Sequence, residues 1–76
     1  MRNVYEVINH TTDYRAGLFS SVAKAVNKVM SMAPVVQAIA ATQTTEVHVK
    51  NELTCTLSRW MVAQYAGVSI HQREVH

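Results

Sequence analysis

The sequence predicts a small α+β domain of the order β-α-(α)-β-α-β, with its helices packed on one face of a three-stranded sheet. Two observations predict this class. Stretches rich in β-branched or alternating residues lie near the beginning, the middle and the end of the chain, and stretches with apolar residues at helical spacing lie between them. The 76 residues fit one domain, residues 1–76, of a size that buries only about 60–65% of its unfolded surface.

The first half of the chain predicts a strand, a turn and a helix. Residues 3–9 are rich in β-formers, which predicts the strand, and residues 10–17 are typical of a turn. Residues 20–32 predict a helix capped by Ser20 or Ser21. Its apolar side comprises Leu18, Val22, Ala25, Val26, Val29 and Met30, and its polar side comprises Lys24, Asn27, Lys28 and Ser31. Pro34 ends or kinks this helix, or opens a second short helix through Ala41.

The second half predicts a strand, a helix and a last strand. Residues 44–50 alternate between the two sides of a half-exposed strand. A helix capped by Asn51 or Thr54 then extends to about Ala66, with Gly67 as its left-handed C-cap. We expect this helix to bury a side that comprises Leu53, Leu57, Trp60, Met61 and Tyr65. Residues 68–75 predict the final strand.

The chain is poor in charge, which bounds its partners. Charged residues make up 16% of the sequence, against about 25% in a typical domain. The net charge is +2, the pI is about 9.0, and the basic residues are scattered rather than clustered as nucleic-acid binding requires. Neutral polar residues fill the gap, and such a surface costs little to desolvate. The 17 residues from Val29 to Thr45 carry no charge at all, so we expect residues 30–44 to contribute to an interface with a partner or with a second copy.

Cysteine usage and hydropathy predict a soluble cytoplasmic protein. Cys55 is a lone cysteine, which excludes an internal disulfide, and we expect it to act as a small apolar residue. The N-terminal residues lack the apolar core of a signal peptide, and the most apolar stretch, residues 29–41, is interrupted by Pro34. If the protein is phage-encoded, its compartment is the host cytoplasm.

The titratable residues form no catalytic or metal-binding motif, so we expect no enzyme activity, no cofactor and no metal. Asp13 is the one aspartate, and the glutamates lie on separate predicted elements. The four histidines lack the spacing of a zinc site. His48 and His71 would become neighbours if their predicted strands pair.

Exposed aromatic, arginine and methionine residues are the best candidates for binding another protein. Tyr14 and Arg15 lie in the predicted 10–17 turn, and Met32 and Pro34 lie at the predicted helix end. We expect Met30 and Met61 to fill the core instead. The candidate partner-binding residues are Tyr14, Arg15, Met32, Pro34, Gln37 and Gln43.

Residues 62–69 resemble the first helix and turn of a lactose-repressor-type helix-turn-helix, through Ala63, Gly67, Val68 and Ser69. The resemblance implies that a recognition helix over residues 70–76 enters the major groove of DNA. Arg73 stands where that family buries an apolar residue. The alternative DNA-binding residues are Ser69, Ile70, His71, Gln72 and Arg73.

The sequence therefore supports three function classes. The leading hypothesis is a small non-enzymatic module that binds a protein of unknown identity and blocks it sterically. Accessory proteins of phages and mobile elements, including anti-CRISPR inhibitors of host defence complexes, are of this size and character. One alternative is a DNA-binding regulator built on residues 57–76, and another is a homo-oligomeric structural subunit such as a homodimer.

Overall fold

Two hairpins form one antiparallel sheet in the computed structural model, which describes residues 2–75. The first hairpin consists of β1 (Arg2–Asn9) and β2 (Tyr14–Phe19), and the second of β3 (Ala63–Tyr65) and β4 (Val68–Val75). β1 and β4 pair along their whole length at the centre, so the strand order is β2-β1-β4-β3. Three helices connect the two hairpins.

The helices are α1 (Val22–Met30), α2 (Ala33–Thr42) and α3 (Glu46–Ser58). Two of them are capped by a hydroxyl: Ser21 accepts a hydrogen bond from the backbone N–H of Lys24, and Thr45 accepts one from that of His48. Pro34 lies in the first turn of α2, where its missing N–H costs no helical hydrogen bond.

The core lies between the helices and one face of the sheet. Val7 on β1 and Ile70 on β4 are opposite each other in the register, point to this face and are fully buried. α1 and α3 meet them with side chains spaced three or four residues apart, among them Val29 and Leu53. Burial of each such side chain contributes about 1.5–3 kcal/mol to folding. The remaining buried residues of this cluster are Tyr5, Ala25, Val26, Met30, Met32, Val35, Val49, Leu57, Ala63 and Val68.

The α+β class is confirmed, as are several of its elements. A strand covers the predicted residues 3–9, a helix capped by Ser21 lies within 20–32, and a second helix follows Pro34. The final strand is β4. The predicted three-stranded sheet and its element order are wrong, since residues 2–75 hold four strands in the order ββαααββ.

The predicted strand at 44–50 is wrong because the helical period of this segment outweighs its alternation. Val49, Leu53 and Leu57 repeat every four residues and are all buried, so a single face of α3 continues from Glu46 to Ser58. Thr45 rather than Asn51 or Thr54 is the N-cap.

The predicted helix end at Ala66 is wrong as well. α3 stops at Ser58, and the chain returns as β3, whose Ala63 is buried opposite Ile70. Trp60 and Met61, which were expected in the core, are exposed, and Tyr65 packs partly buried against it. Cys55 is also exposed rather than buried.

The predicted turn at 10–17 shrinks to the residues between Asn9 and Tyr14. Residues 14–19 form β2, and a bulge in this strand shifts its register between Val7 and Ile8 of β1. Leu18, predicted on the apolar side of the first helix, lies on β2 and is exposed.

The β3–β4 hairpin turns on Ala66 and Gly67, both with positive φ, which is the geometry of a type I′ turn. Gly67 therefore acts in a hairpin and not as a helix cap. A Cβ at this glycine would lie 2.9 Å from Thr11 Oγ1, so the first hairpin packs closely against the second. The backbone N–H of His10 also donates to the carbonyl of Gly67 at 2.8 Å.

We expect Gly67→Ala to destabilise the protein by about 1–3 kcal/mol, because it combines a strained φ with the contact to Thr11. Urea denaturation of the single variant and of the Thr11→Ala/Gly67→Ala double variant separates the two causes. The double variant should recover part of the loss, since only the steric component involves Oγ1. An equal loss in both variants would show that the contact costs nothing.

Candidate functional site

The most exposed apolar segment of the described chain links α3 to β3. We name residues 59–62 the Trp60 loop. Trp60 is 73% exposed, Met61 59% and Val62 48%. Three consecutive apolar side chains of this exposure are unusual on a monomer surface, where large apolar residues normally occur singly.

The Trp60 loop holds its tryptophan in a conformation that favours glycine. Two hydrogen bonds end α3: the N–H of Met61 donates to the carbonyl of Thr56, and the N–H of Trp60 donates to that of Leu57. This is the Schellman pattern, in which the residue after the cap takes the left-handed conformation. Trp60 occupies that position with φ +61°.

A bulky side chain at this position carries a local cost. Glycine adopts positive φ freely, whereas a residue with a Cβ is strained there by about 1–3 kcal/mol. The exposed indole does not offset this cost by burial in the core. Strain of this kind concentrates at functional positions, which makes Trp60 a binding candidate.

A groove lies beside the Trp60 loop, between α3 and β3. Its volume is about 370 Å³, and it is lined by Arg59 of the loop and by Gln64 of β3. The other lining residues are Val49, Glu52, Leu53, Cys55, Thr56 and Tyr65. The surface that lines the groove is mainly polar.

The face of the sheet away from the helices carries a polar network. We name it the open face; its residues include Glu6 and Ile8 on β1, Arg15 on β2, and Ser69, His71 and Arg73 on β4. The Glu6 side chain is largely buried among its neighbours. Its Oε1 accepts hydrogen bonds from Arg73 Nε at 2.9 Å and Nη2 at 2.7 Å, and its Oε2 accepts one from Arg15 Nη1 at 3.1 Å.

This network links three adjacent strands and lowers the pKa of Glu6. The hydrogen bond from Arg73 is the largest cause; burial opposes it, and the charges of Arg73 and Arg15 add to the lowering. Because Glu6 neutralises one of the two arginine charges, the open face presents little free positive charge to an anionic partner.

Two histidines converge on a buried hydroxyl at one end of the open face. His10 Nε2 lies 2.6 Å from Ser69 Oγ, and His71 Nε2 lies 2.9 Å from the same atom. The Ser69 hydroxyl can donate to one neutral ring only, so the other ring donates its Nε2–H to Ser69. The rings of His71 and His10 are therefore adjacent. His48, the neighbour of His71 that paired strands would have given, lies on α3 and contacts Glu52.

This arrangement resembles a nucleophile with a base, but the nucleophile is inaccessible. Ser69 is only 1% exposed, and the carboxylate of the open face, Glu6, is bound to arginines rather than to either imidazole. Among residues 2–75, no group of three or more His, Cys, Asp or Glu side chains is placed to bind a metal ion. Within the same residues, no helix is long and apolar enough to cross a membrane.

The predicted partner-binding residues separate into two groups. Tyr14 is exposed at the start of the edge strand β2, beside Arg15, whose guanidinium pairs with Glu6. The other four belong to α2 or its caps. Gln37 and Gln43 are exposed there, Pro34 is half-buried, and Met32 is buried. The expectation that Met32 lies on the surface is wrong, because it packs in the core cluster before α2 begins.

The DNA-binding geometry implied by the helix-turn-helix resemblance is wrong for the described residues. Residues 68–75 form β4 rather than a recognition helix, and His76 lies outside the described residues. Ser69 and Ile70 are buried, so neither can contact bases. His71 and Gln72 are half-buried and Arg73 is exposed but paired with Glu6.

The chain matches no family model, no curated protein and no solved structure. Its function must therefore be inferred from its own surface.

The sequence did not predict the Trp60 loop because the glycine that normally marks such a helix end is absent. A glycine at position 60 would have marked the end of α3, whereas tryptophan followed by methionine continues the apolar pattern of a buried helix. One signal was available: a helix through Ala66 buries Met61 but leaves Val62 on no common face with Leu53 and Leu57.

We expect Glu6→Gln to destabilise the protein at pH 7 and to lose this effect at low pH. The folded-state pKa of Glu6 is below its ordinary value of 4.5, so its charge stabilises the fold above that pH. The contribution disappears as the pH falls through the folded-state pKa. Urea denaturation of the wild type and of Glu6→Gln measures this between pH 7 and pH 3. The difference between their free energies of unfolding should become smaller as the pH falls. Glu74→Gln, at an exposed position of β4, is the matched control, and an equal response in the two variants would contradict the role of the arginines.

We expect Trp60→Gly to stabilise the protein by about 1 kcal/mol, because glycine relieves the positive φ at this position. Val62→Gly is the control: Val62 belongs to the same loop but not to the positive-φ residues, so glycine there should destabilise. Thermal melting of the two variants measures both changes. A Trp60→Gly protein less stable than Val62→Gly would show that the indole supports the fold.

Proposed function

We propose that this protein is a non-enzymatic protein-binding module whose Trp60 loop inserts into an apolar pocket of its partner. The observation that carries the proposal is the strained, 73% exposed tryptophan at the end of α3. A residue that costs local stability and buries no core surface is explained by a role outside the folded chain.

The composition of the Trp60 loop supports this role. Tryptophan and arginine are the residues most enriched in binding hot spots, and methionine is enriched in interfaces generally. Arg59, Trp60 and Met61 are consecutive and all exposed. The hydrogen-bonded turn that follows α3 orders the backbone beneath them before binding, which reduces the conformational entropy lost when they bind.

The groove beside the loop extends the proposed contact. A partner that accepts the indole brings a second side chain towards Arg59, Gln64 and Tyr65 at the groove wall. The exposed side chains of Met61 and Val62 add apolar surface whose removal from water is favourable. Binding dominated by apolar insertion should depend weakly on salt, in contrast to binding of nucleic acid.

We propose that the consequence of binding is steric occlusion of the partner. The Ser69 hydroxyl is buried, so it is not accessible to a substrate as a nucleophile. Small chains of this kind among phage and mobile-element accessory proteins act on host proteins by covering a functional surface. On this proposal the protein inhibits or modulates a host complex stoichiometrically.

Affinity capture with matched variants tests the proposal. Wild type, Trp60→Gly and Leu18→Ser are immobilised, and retained proteins are compared by mass spectrometry. Leu18 is the control because it is an equally conspicuous apolar residue, 62% exposed on β2. We expect a protein that wild type and Leu18→Ser retain alike, and that Trp60→Gly binds about 30-fold more weakly, as loss of a hot spot implies.

Two results would contradict the proposal. The first is the absence of any protein retained specifically by wild type. The second is a partner retained equally by a Trp60→Gly protein whose thermal melting shows it to be folded, since that variant lacks the indole.

A further inference from the structure

β3 is an edge of the sheet whose backbone is open to a further strand. In the order β2-β1-β4-β3, it pairs with β4 on one side only. An edge strand presents unpaired N–H and C=O groups, which proteins commonly protect with a bulge, a proline or a lysine. The other edge strand, β2, carries a bulge. The sequence of β3, Ala-Gln-Tyr, contains neither a proline nor a lysine, and its pairing with β4 is regular.

The hairpin geometry identifies the residue of β3 that faces outward. Tyr65 and Val68 flank the two-residue type I′ turn, so they form a hydrogen-bonded pair. Hydrogen-bonded and non-hydrogen-bonded pairs alternate along an antiparallel ladder. Gln64, opposite Ser69, therefore belongs to a non-hydrogen-bonded pair, and both its N–H and its C=O point away from β4. The backbone hydrogen bonds of the turns and loops within residues 2–75 involve neither group.

The groove between α3 and β3 adjoins this outward-facing residue. Gln64 is exposed and lines the groove together with a stripe of side chains on α3. The stripe extends from Val49 to Arg59 at the C-cap, a length of about 15 Å. An extended chain covers that length with about five residues. A peptide in the groove would thus have the β3 edge on one side and α3 on the other.

The side chains of such a peptide would alternate between the open face and α3. The residue opposite Gln64 would turn its side chain to the open face, and its two neighbours would turn theirs towards α3. Arg59 is the cation that lines the groove. The ion pairs within residues 2–75 do not include it, whereas Glu52, about two turns earlier on α3, contacts His48. A carboxylate is therefore the side chain that complements this end of the groove.

We propose that an extended segment of the partner adds to β3 as a fifth strand, with an acidic side chain bound to Arg59. Two backbone hydrogen bonds to Gln64 set the register of the added strand, and the groove receives its side chains. A strand of three residues offers a short edge, so this contact is weak by itself. The inference deepens the proposed function and rests on it: insertion of Trp60 supplies most of the affinity, and the fifth strand orients the partner.

Selection of random linear peptides on the immobilised full chain tests the fifth strand. Each phage displays many copies of its peptide, so that weak binders are retained by avidity. Enriched peptides are then synthesised, and calorimetry measures their affinity for wild type, Gln64→Pro and Gln64→Ala. Proline removes the outward N–H but no hydrogen bond to β4, and an edge strand tolerates it where the N–H faces solvent. Gln64→Ala is the matched control, because it removes the same side chain and keeps the N–H.

We expect the enriched peptides to share an acidic residue and to bind wild type and Gln64→Ala alike. Gln64→Pro should bind them about tenfold more weakly, as the loss of a backbone hydrogen bond implies. Arg59→Gln should also bind them about tenfold more weakly, because it removes the charge that pairs with the carboxylate. Hydrogen exchange of the wild-type amides is the second measurement in case Gln64→Pro unfolds: saturating peptide should slow the exchange of the Gln64 N–H.

Three results would overturn the fifth strand. The selection could enrich no peptide, every enriched peptide could bind folded Gln64→Pro as tightly as Gln64→Ala, or the exchange rate of the Gln64 N–H could stay unchanged at saturation. Partner capture reports on Trp60, whereas peptide binding reports on the β3 edge. Loss of Trp60-dependent capture with intact peptide binding would contradict the proposed function alone, and the reverse would contradict the fifth strand alone.

Discussion

The pairing of β1 with β4 is the constraint on which the rest of the structure depends. It joins the first and last strands over eight residue pairs, from Arg2 with Val75 to Asn9 with Val68. Bringing together two strands so far apart in the sequence costs chain entropy, which local contacts alone do not offset. Contacts on both faces of the β1–β4 pair offset this cost. Val7 and Ile70 join the core on the helix side, and on the open face Glu6 accepts hydrogen bonds from Arg73 across the same pair.

This dependence explains why local patterns predicted the ends of the chain better than its middle. β1 and β4 are long and rich in β-formers, and their prediction needed no knowledge of their partner. Residues 44–50 alternate as a strand does, whereas Val49, Leu53 and Leu57 repeat at helical spacing beyond the end of that segment. The helical repeat outweighs the alternation because all three of these side chains are buried in the core.

The Trp60 loop was not predicted from the sequence, and the interface that composition predicted at residues 30–44 stays a prediction. The scarcity of charge over residues 29–45 pointed to an interface, and the structure shows that most of α2 is exposed and apolar. Trp60 could not be found in this way, because a buried and an exposed tryptophan have the same local sequence. The anchor role that we propose for Trp60 depends on a backbone conformation, φ +61°, that the sequence pattern does not reveal. Met32 shows the converse: its place beside Pro34 suggested a surface residue, but it packs in the core.

The Trp60 loop and α2 differ in the physical reason that each is open to a partner. α2 is incompletely packed, because Val35 alone of its residues is fully buried and most of its apolar surface faces solvent. The Trp60 loop forms a complete turn, because the carbonyls of Thr56 and Leu57 accept their hydrogen bonds. Glycine at position 60 would adopt the same backbone conformation with less strain. Folding therefore explains the backbone of this loop but not the identity of its side chain. On our proposal, a partner outside the chain accounts for tryptophan at this position, and for that reason we assign the binding role to the Trp60 loop rather than to α2.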